Sequence, residues 1–323
     1  MKCMLSNSNV LQRLSLLLAV SFGVAQQRST WEVIQEEVWT PRCVECHQEG
    51  TTFGEQSDLY LTSDVAYEEL VNTLPNNTAA RGDGFLLLGN EGLASLPTSF
   101  LWEKINASDK EHFYSDHPYY GAQMPLGASY LTNGQLAFIK EWILGGAPKE
   151  GIVEKAKESL LDDTTRYDPP EFMAIDTPEQ GIQLHLGPFE ISPQFEREFY
   201  YFQPLDTTGN IYIERAELTM RSGSHHFIAY SFSESIPAWV GLTPFEYRDI
   251  RAEDGSYIQS SLLATLWHSF GFGAQIPFMN YQFPNGVALR LDADLGLDLN
   301  SHYINRTDTA SVGEVYINMH LLK

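Results

Sequence analysis

The chain has 323 residues, a formal net charge of −22 and 43% apolar residues, which is enough to bury two cores of ordinary size. That acidity argues against nucleic acid and anionic membrane surfaces as partners; it reads as a solvated acidic surface or, alternatively, as a face for docking to a basic redox protein. With three cysteines in all, a densely disulfide-stapled scaffold is excluded too.

The chain begins with a segment carrying Lys2 and Arg13, then the apolar run "LSLLLAVSFGVA", with Gly23 and Ala25 as a small-x-small cleavage pattern. Residues 1–25 are expected to be a signal peptide, so the mature protein would be exported to the periplasm or the extracellular space. Cys3 would leave with it. No other stretch approaches the roughly 18 apolar residues of a membrane helix, so no stable membrane insertion is expected.

From residue 29 the signals are helical. Ser29 and Glu32 fit a capping box, and Trp31, Ile34 and Val38 follow at spacings of three and four. The stretch "PRCVECHQEG" then holds Cys43, Cys46 and His47. A structural zinc site needs four ligands, usually from two such pairs, and no second cysteine pair exists. A redox dithiol belongs in a βα setting and has no use for His47. The spacing C-x-x-C-H gives each residue a task in covalent haem attachment: the thiols add to the two vinyl groups and the histidine reaches the iron.

The sixth iron ligand would come from His112, His117 or Met124. In "GAQMPLGASYLTNGQLAFIKEWILGGAP", Met124-Pro125 precedes a helix that Thr132 and Gln135 cap, that Leu136, Ile139, Trp142 and Ile143 make amphipathic, and that Gly145, Gly146 and Pro148 stop. On these residues, and on the C-x-x-C-H stretch, residues 29–148 resemble a class I cytochrome c. The resemblance implies an all-α cytochrome c domain binding haem c through Cys43 and Cys46. It also implies His47 and Met124 as axial ligands and a potential suited to electron transfer. His117 in "YSDHPYY" is the rival to Met124. Residues 51–120 carry no assignable role.

Residues 149–177 are charged and proline-containing, without sustained periodicity, and are expected to be a linker. Beyond them, "NIYIERAELTM", "HHFIAYSF", "GVALRLDADL" and "EVYINMHLL" read as strands of an antiparallel β domain over 178–323. The doublet His225-His226 lies in one of them. Neighbours on a regular strand face opposite sides, so the pair can share a metal only if the strand bulges or ends there, or if the rings use different nitrogens.

The doublet, the segment "GFGAQIPFMNYQFPNG" and His302-Tyr303 in "HYINRT" occur in that order. In this the region resembles the copper type II, ascorbate-dependent monooxygenases, the family of peptidylglycine α-hydroxylating monooxygenase and dopamine β-monooxygenase. His302-Tyr303 is followed by "INRT" where that family has H-Y-x-N-P. The resemblance implies that His225, His226 and His302 hold the electron-donating copper, on the first of the family's two jelly-roll-like domains. Two departures stand out: the family's disulfides are missing, and the sequence stops at Lys323, where the domain of the oxygen-activating copper would begin. His185, His268 and His320 each sit alone in apolar sequence and are expected to be hydrogen-bonded core or edge residues.

The expected fold is therefore multidomain, an all-α cytochrome c domain followed by an all-β jelly-roll-like sandwich. The expected function is that of an exported haem c and copper redox protein. Its electron transfer would be linked to copper-dependent monooxygenation of a C–H bond, with a redox protein or a small reductant such as ascorbate as partner. It would be a fragment of such an enzyme, or a carrier whose catalytic copper is elsewhere. The alternative is a haem c carrier whose β domain is a non-catalytic glycan- or protein-binding module.

Overall fold

In the computed structural model, residues 27–106 and 110–322 are described. The expected signal peptide, residues 1–25, and the terminal Lys323 lie outside the described residues, as does the side chain of His112.

The first part of the chain is built from short helices: α1 (Thr30–Ile34), α2 (Thr40–Arg42), α3 (Thr52–Ser57), α4 (Ala66–Leu70), α5 (Thr78–Gly82), α6 (Phe100–Ile105), α7 (Lys110–Asp116) and α8 (Asn133–Leu144). Both capping boxes form, Ser29 with Glu32 on α1 and Thr132 with Gln135 on α8. A π-helical turn, Gln35–Trp39, joins α1 to α2. Trp31, Ile34, Val38 and Trp39 from this stretch pack on Leu136, Ile139, Trp142 and Ile143 of α8, forming one buried apolar cluster. Residues 149–166 fold back on these helices: Gly151 O accepts from Thr30 N at 3.0 Å and Asp163 O from Gly134 N at 3.1 Å.

The second part contains ten strands: β1 (Gly181–Ile191), β2 (Phe195–Gln203), β3 (Asn210–Met220), β4 (Ser224–Phe232), β5 (Tyr247–Asp249), β6 (His268–Ala274), β7 (Phe278–Gln282), β8 (Leu289–Asp292), β9 (Leu297–Asn305) and β10 (Ser311–Leu321). One antiparallel sheet runs β1-β10-β3-β7, with β8 also paired to β3, and the other runs β5-β2-β9-β4-β6. Leu186, Ile213, Ile317 and Met319 from the first sheet meet Phe199, Phe227 and Leu299 from the second in the core between them. Alternation along β9 then sends Asp298, Asn300 and His302 to the opposite face of the second sheet. All three are nonetheless buried, because that face is covered as well.

The expected fold, an all-α cytochrome c domain followed by an all-β jelly-roll-like sandwich, is corrected here. Of the described residues, about 27% are helical and 30% are in strand, in two antiparallel sheets, so β structure dominates. The part expected to be all-α holds helices of 3 to 12 residues and the isolated parallel bridges Val71–Leu88 and Leu86–Ser99. The physical cause lies between the two capped helices. Over residues 75–97, Pro75, Gly82, Gly84, Gly89, Gly92 and Pro97 interrupt the chain every few residues, so only a five-residue helix and short 3-10 turns form there.

The two parts touch. Ile276 packs with Phe85, Phe100, Phe113, Tyr114 and Tyr120, and Gly127 O accepts from Arg306 N at 2.7 Å. Gly127 has φ +69°, and a Cβ there would collide with Ile304 O, so this approach needs glycine.

Candidate metal centre and haem-attachment segment

β4 and β9 are neighbours, and their register shifts between Ser224 and His226: Ser224 pairs with Tyr303 and His226 with His302. His225 is the extra residue of a β-bulge. The bulge removes the alternation that would otherwise part the doublet, so both rings turn towards the same spot as His302. One ring nitrogen of each of the three histidines lies within 4.8 Å of the others.

The hydrogen bonds identify which nitrogens these are. Glu196 Oε1 is 2.7 Å from His302 Nε2, and a carboxylate only accepts, so Nε2 carries the proton. Asn300 Nδ2 donates to Phe199 O at 3.1 Å, which leaves its Oδ1 to accept from His226 Nε2 at 2.8 Å. Both rings therefore turn an unprotonated Nδ1 inward, where His225 Nδ1 lies 3.2 Å from that of His302 and 3.3 Å from that of His226. Three lone-pair donors this close repel unless a cation or a proton sits among them. Around a tetrahedral ion with metal–nitrogen bonds of ~2.0–2.1 Å, ligand atoms are about 3.3 Å apart. The residues fit a three-imidazole metal centre whose ring orientation is set by an outer carboxylate and an outer amide.

The surroundings hold these rings neutral or paired. Glu196 and Glu198 stand two apart on β2 and face the cluster, and Arg251 lies 3.9 Å from each. The hydrogen bond from His302 holds the Glu196 carboxyl below its usual range. Burial first, then the neighbouring His302 and His226, push His225 down from 6.5 to about 4. In the metal-free chain, His225 thus stays neutral at pH values where the unfolded chain takes up a proton. Stability is then expected to fall as pH drops from about 6.5 towards 4. Ring NMR resonances of His225 should titrate near 4, and urea unfolding should show the loss over that window; a midpoint at 6.5 would remove the effect.

At the other end of the candidate site, Cys43 N accepts its place in the turn by donating to Trp39 O at 2.9 Å, and His47 N donates to Cys43 O at 2.9 Å, so the C-x-x-C-H residues form one compact turn. Both thiols are free. Burial pushes the Cys43 thiol up to about 12, which makes it a poor thiolate and argues against a redox dithiol. Ser57 Oγ donates to Phe53 O at 2.6 Å and lies 3.2 Å from His47 Nδ1. The Ser57 proton is used, so Nδ1 is the donor, and Nε2 is left as the lone-pair nitrogen an iron would need.

Cys43 and Met124 pack against the same apolar cluster, and Met124 N donates to Lys104 O at 2.7 Å. Trp39 Nε1 and Arg42 Nε, just before Cys43, are buried donors without an acceptor. A haem carboxylate is an acceptor of the right charge for such donors. The donor set of Cys43, Cys46 and His47 fits haem, with Met124 on the same cluster. His117 stacks on Tyr120 at 4.1 Å in a different aromatic cluster.

The remaining β-region histidines each meet a carboxylate: His185 with Glu314 at 2.9 Å, His268 with Asp298 at 2.9 Å and His320 with Glu217 at 2.6 Å. Among the described residues, no metal-ligating group of three forms apart from the imidazole cluster.

Glu196, Asn300, Arg306 and Phe53 were not singled out from the sequence. Asn300 had a signal, since "LDLN" alternates apolar with polar residues, whereas Glu196 lies in the charged run "ERE", where no alternation marks it. Arg306 and Phe53 had none, because their partners are distant in sequence.

No family model matches the chain, and no curated protein matches it.

Proposed function

We propose that this chain is an exported redox protein that holds covalent haem c on Cys43 and Cys46, with His47 and Met124 as axial ligands, and one copper on His225, His226 and His302. Its electron transfer serves copper-dependent monooxygenation, and the copper that activates oxygen lies outside the 323 residues. The observation that carries the reading is the bulge at His225, which brings three inward-facing Nδ1 atoms together while Glu196 and Asn300 fix the rings.

Three neutral imidazoles suit a copper that cycles between two oxidation states, and the resemblance of "HYIN" and the doublet selects copper over zinc. When bound, haem and copper each supply one-electron chemistry. The residues do the rest. Glu196 and Asn300 keep the protons on the outer nitrogens, Phe53 stacks its edge on His225, and His47 is held through Nδ1 by Ser57. The acidic surface suits a basic redox partner, and a small reductant such as ascorbate is the other source of electrons.

The test is to load the full chain with copper, dialyse, quantify the metal, and follow oxygen uptake with and without ascorbate. One copper per chain and no coupled hydroxylation of peptidylglycine or phenethylamine substrates are expected. Two tightly held coppers, or coupled turnover by the chain alone, would contradict the reading, and so would loss of all copper on dialysis.

A further inference from the structure

We propose that Arg306, together with Phe53, is the bridge through which the C-x-x-C-H segment and the imidazole cluster exchange electrons, an inference that rests on the function proposed above.

Arg306 belongs to the β region by sequence, at the end of β9, but its contacts lie on both sides. Its backbone N donates to Gly127 O at 2.7 Å. Nε lies 3.7 Å from Glu45 Oε1 and Nη2 lies 3.8 Å from Glu196 Oε2. The guanidinium also rests against the Cys46 thiol. Glu196 in turn accepts from His302 Nε2 at 2.7 Å. The sequence of contacts Cys46, Arg306, Glu196, His302 is continuous. A planar fork can reach several such partners at once, which a lysine cannot.

A second route is independent of the first. The Phe53 ring lies 5.4 Å from the His225 ring at 83°. Phe53 O accepts from Ser57 Oγ, the same oxygen that holds His47 Nδ1. Cys46 and His47, neighbours in the C-x-x-C-H motif, therefore each have a packed or hydrogen-bonded path to a different histidine of the cluster. Electron tunnelling falls steeply across empty gaps, so contiguous contacts of this kind set the rate. In the exchange one electron leaves one centre and reaches the other, the first oxidised and the second reduced by one unit. No bond forms or breaks, and Arg306 keeps its proton. The electrons enter from the redox protein or ascorbate named above. Arg306 acts as a positioning residue, since it touches neither iron nor copper in this role.

The experiment uses the full chain with its haem. Haem staining and copper quantification come first, and a chain without covalent haem would overturn both this inference and the proposed function. In the loaded protein, the ferric haem should speed the spin relaxation of the Cu(II) signal relative to copper in the haem-free Cys43→Ser, Cys46→Ser variant, a readout that requires no turnover. An unchanged relaxation would mean the two segments are not in contact and would overturn the bridge alone. After pulse reduction, Arg306→Met should slow electron equilibration between the centres at least tenfold, with haem and copper content unchanged. Arg306→Lys should recover part of the rate, and Phe53→Leu should give a smaller loss. Equal rates in wild type and Arg306→Met, with both centres filled, would overturn the inference and leave the proposed function standing.

Discussion

Alanine in place of His302 is expected to weaken copper binding by more than the ~10–100-fold that loss of an outer-shell partner costs. His302 supplies one of three inward Nδ1 atoms, and its ring also orders the others, because His225 Nδ1 lies 3.2 Å from it. The fold should survive. Glu196 loses its imidazole partner but keeps Arg251 and Arg306 within 4 Å, so no buried charge is left alone. Haem content should be unchanged. Equilibrium dialysis followed by metal analysis checks the loss, with His320→Ala as a control, since His320 pairs with Glu217 away from the cluster. Equal loss in both variants would point to general destabilisation instead of a ligand.

The second large effect concerns haem. The double variant Cys43→Ser, Cys46→Ser should lose all covalent haem, because a hydroxyl cannot add to a vinyl group to make the thioether. Denaturing gels stained for haem check it, and a band that keeps its colour would refute the attachment. The loss should also lower the melting temperature, since the contacts that His47, Met124 and the surrounding apolar cluster would make to the haem form only in the folded chain.

The parts of this protein that were legible in the sequence are the local ones. C-x-x-C-H is five consecutive residues, and the structure folds them into one turn with both thiols free. The capping boxes at Ser29 and Thr132 likewise form where the residues place them. The doublet was half legible: the residues stated the condition under which His225 and His226 share a site, and the register shift against β9 meets it. The all-α expectation failed because the ten strands beyond residue 180 dominate the overall balance, and because residues 75–97, between the two well-capped helices, are broken by glycine and proline into short turns. The contacts of Arg306 and Phe53 were beyond reach, because nothing in the local pattern at Phe53 signals a ring 172 positions further on at His225.

Convergence of three histidines through Nδ1 on one metal is checked by spectroscopy of the copper-loaded chain, with X-ray absorption to count nitrogen ligands and pulsed EPR to identify the imidazole nitrogen bound. One copper with three imidazoles, each bound through Nδ1, is expected, with loss of one imidazole in His302→Ala. A copper held by fewer than three imidazoles, or bound through the Nε2 atoms that Glu196 and Asn300 occupy, would contradict it.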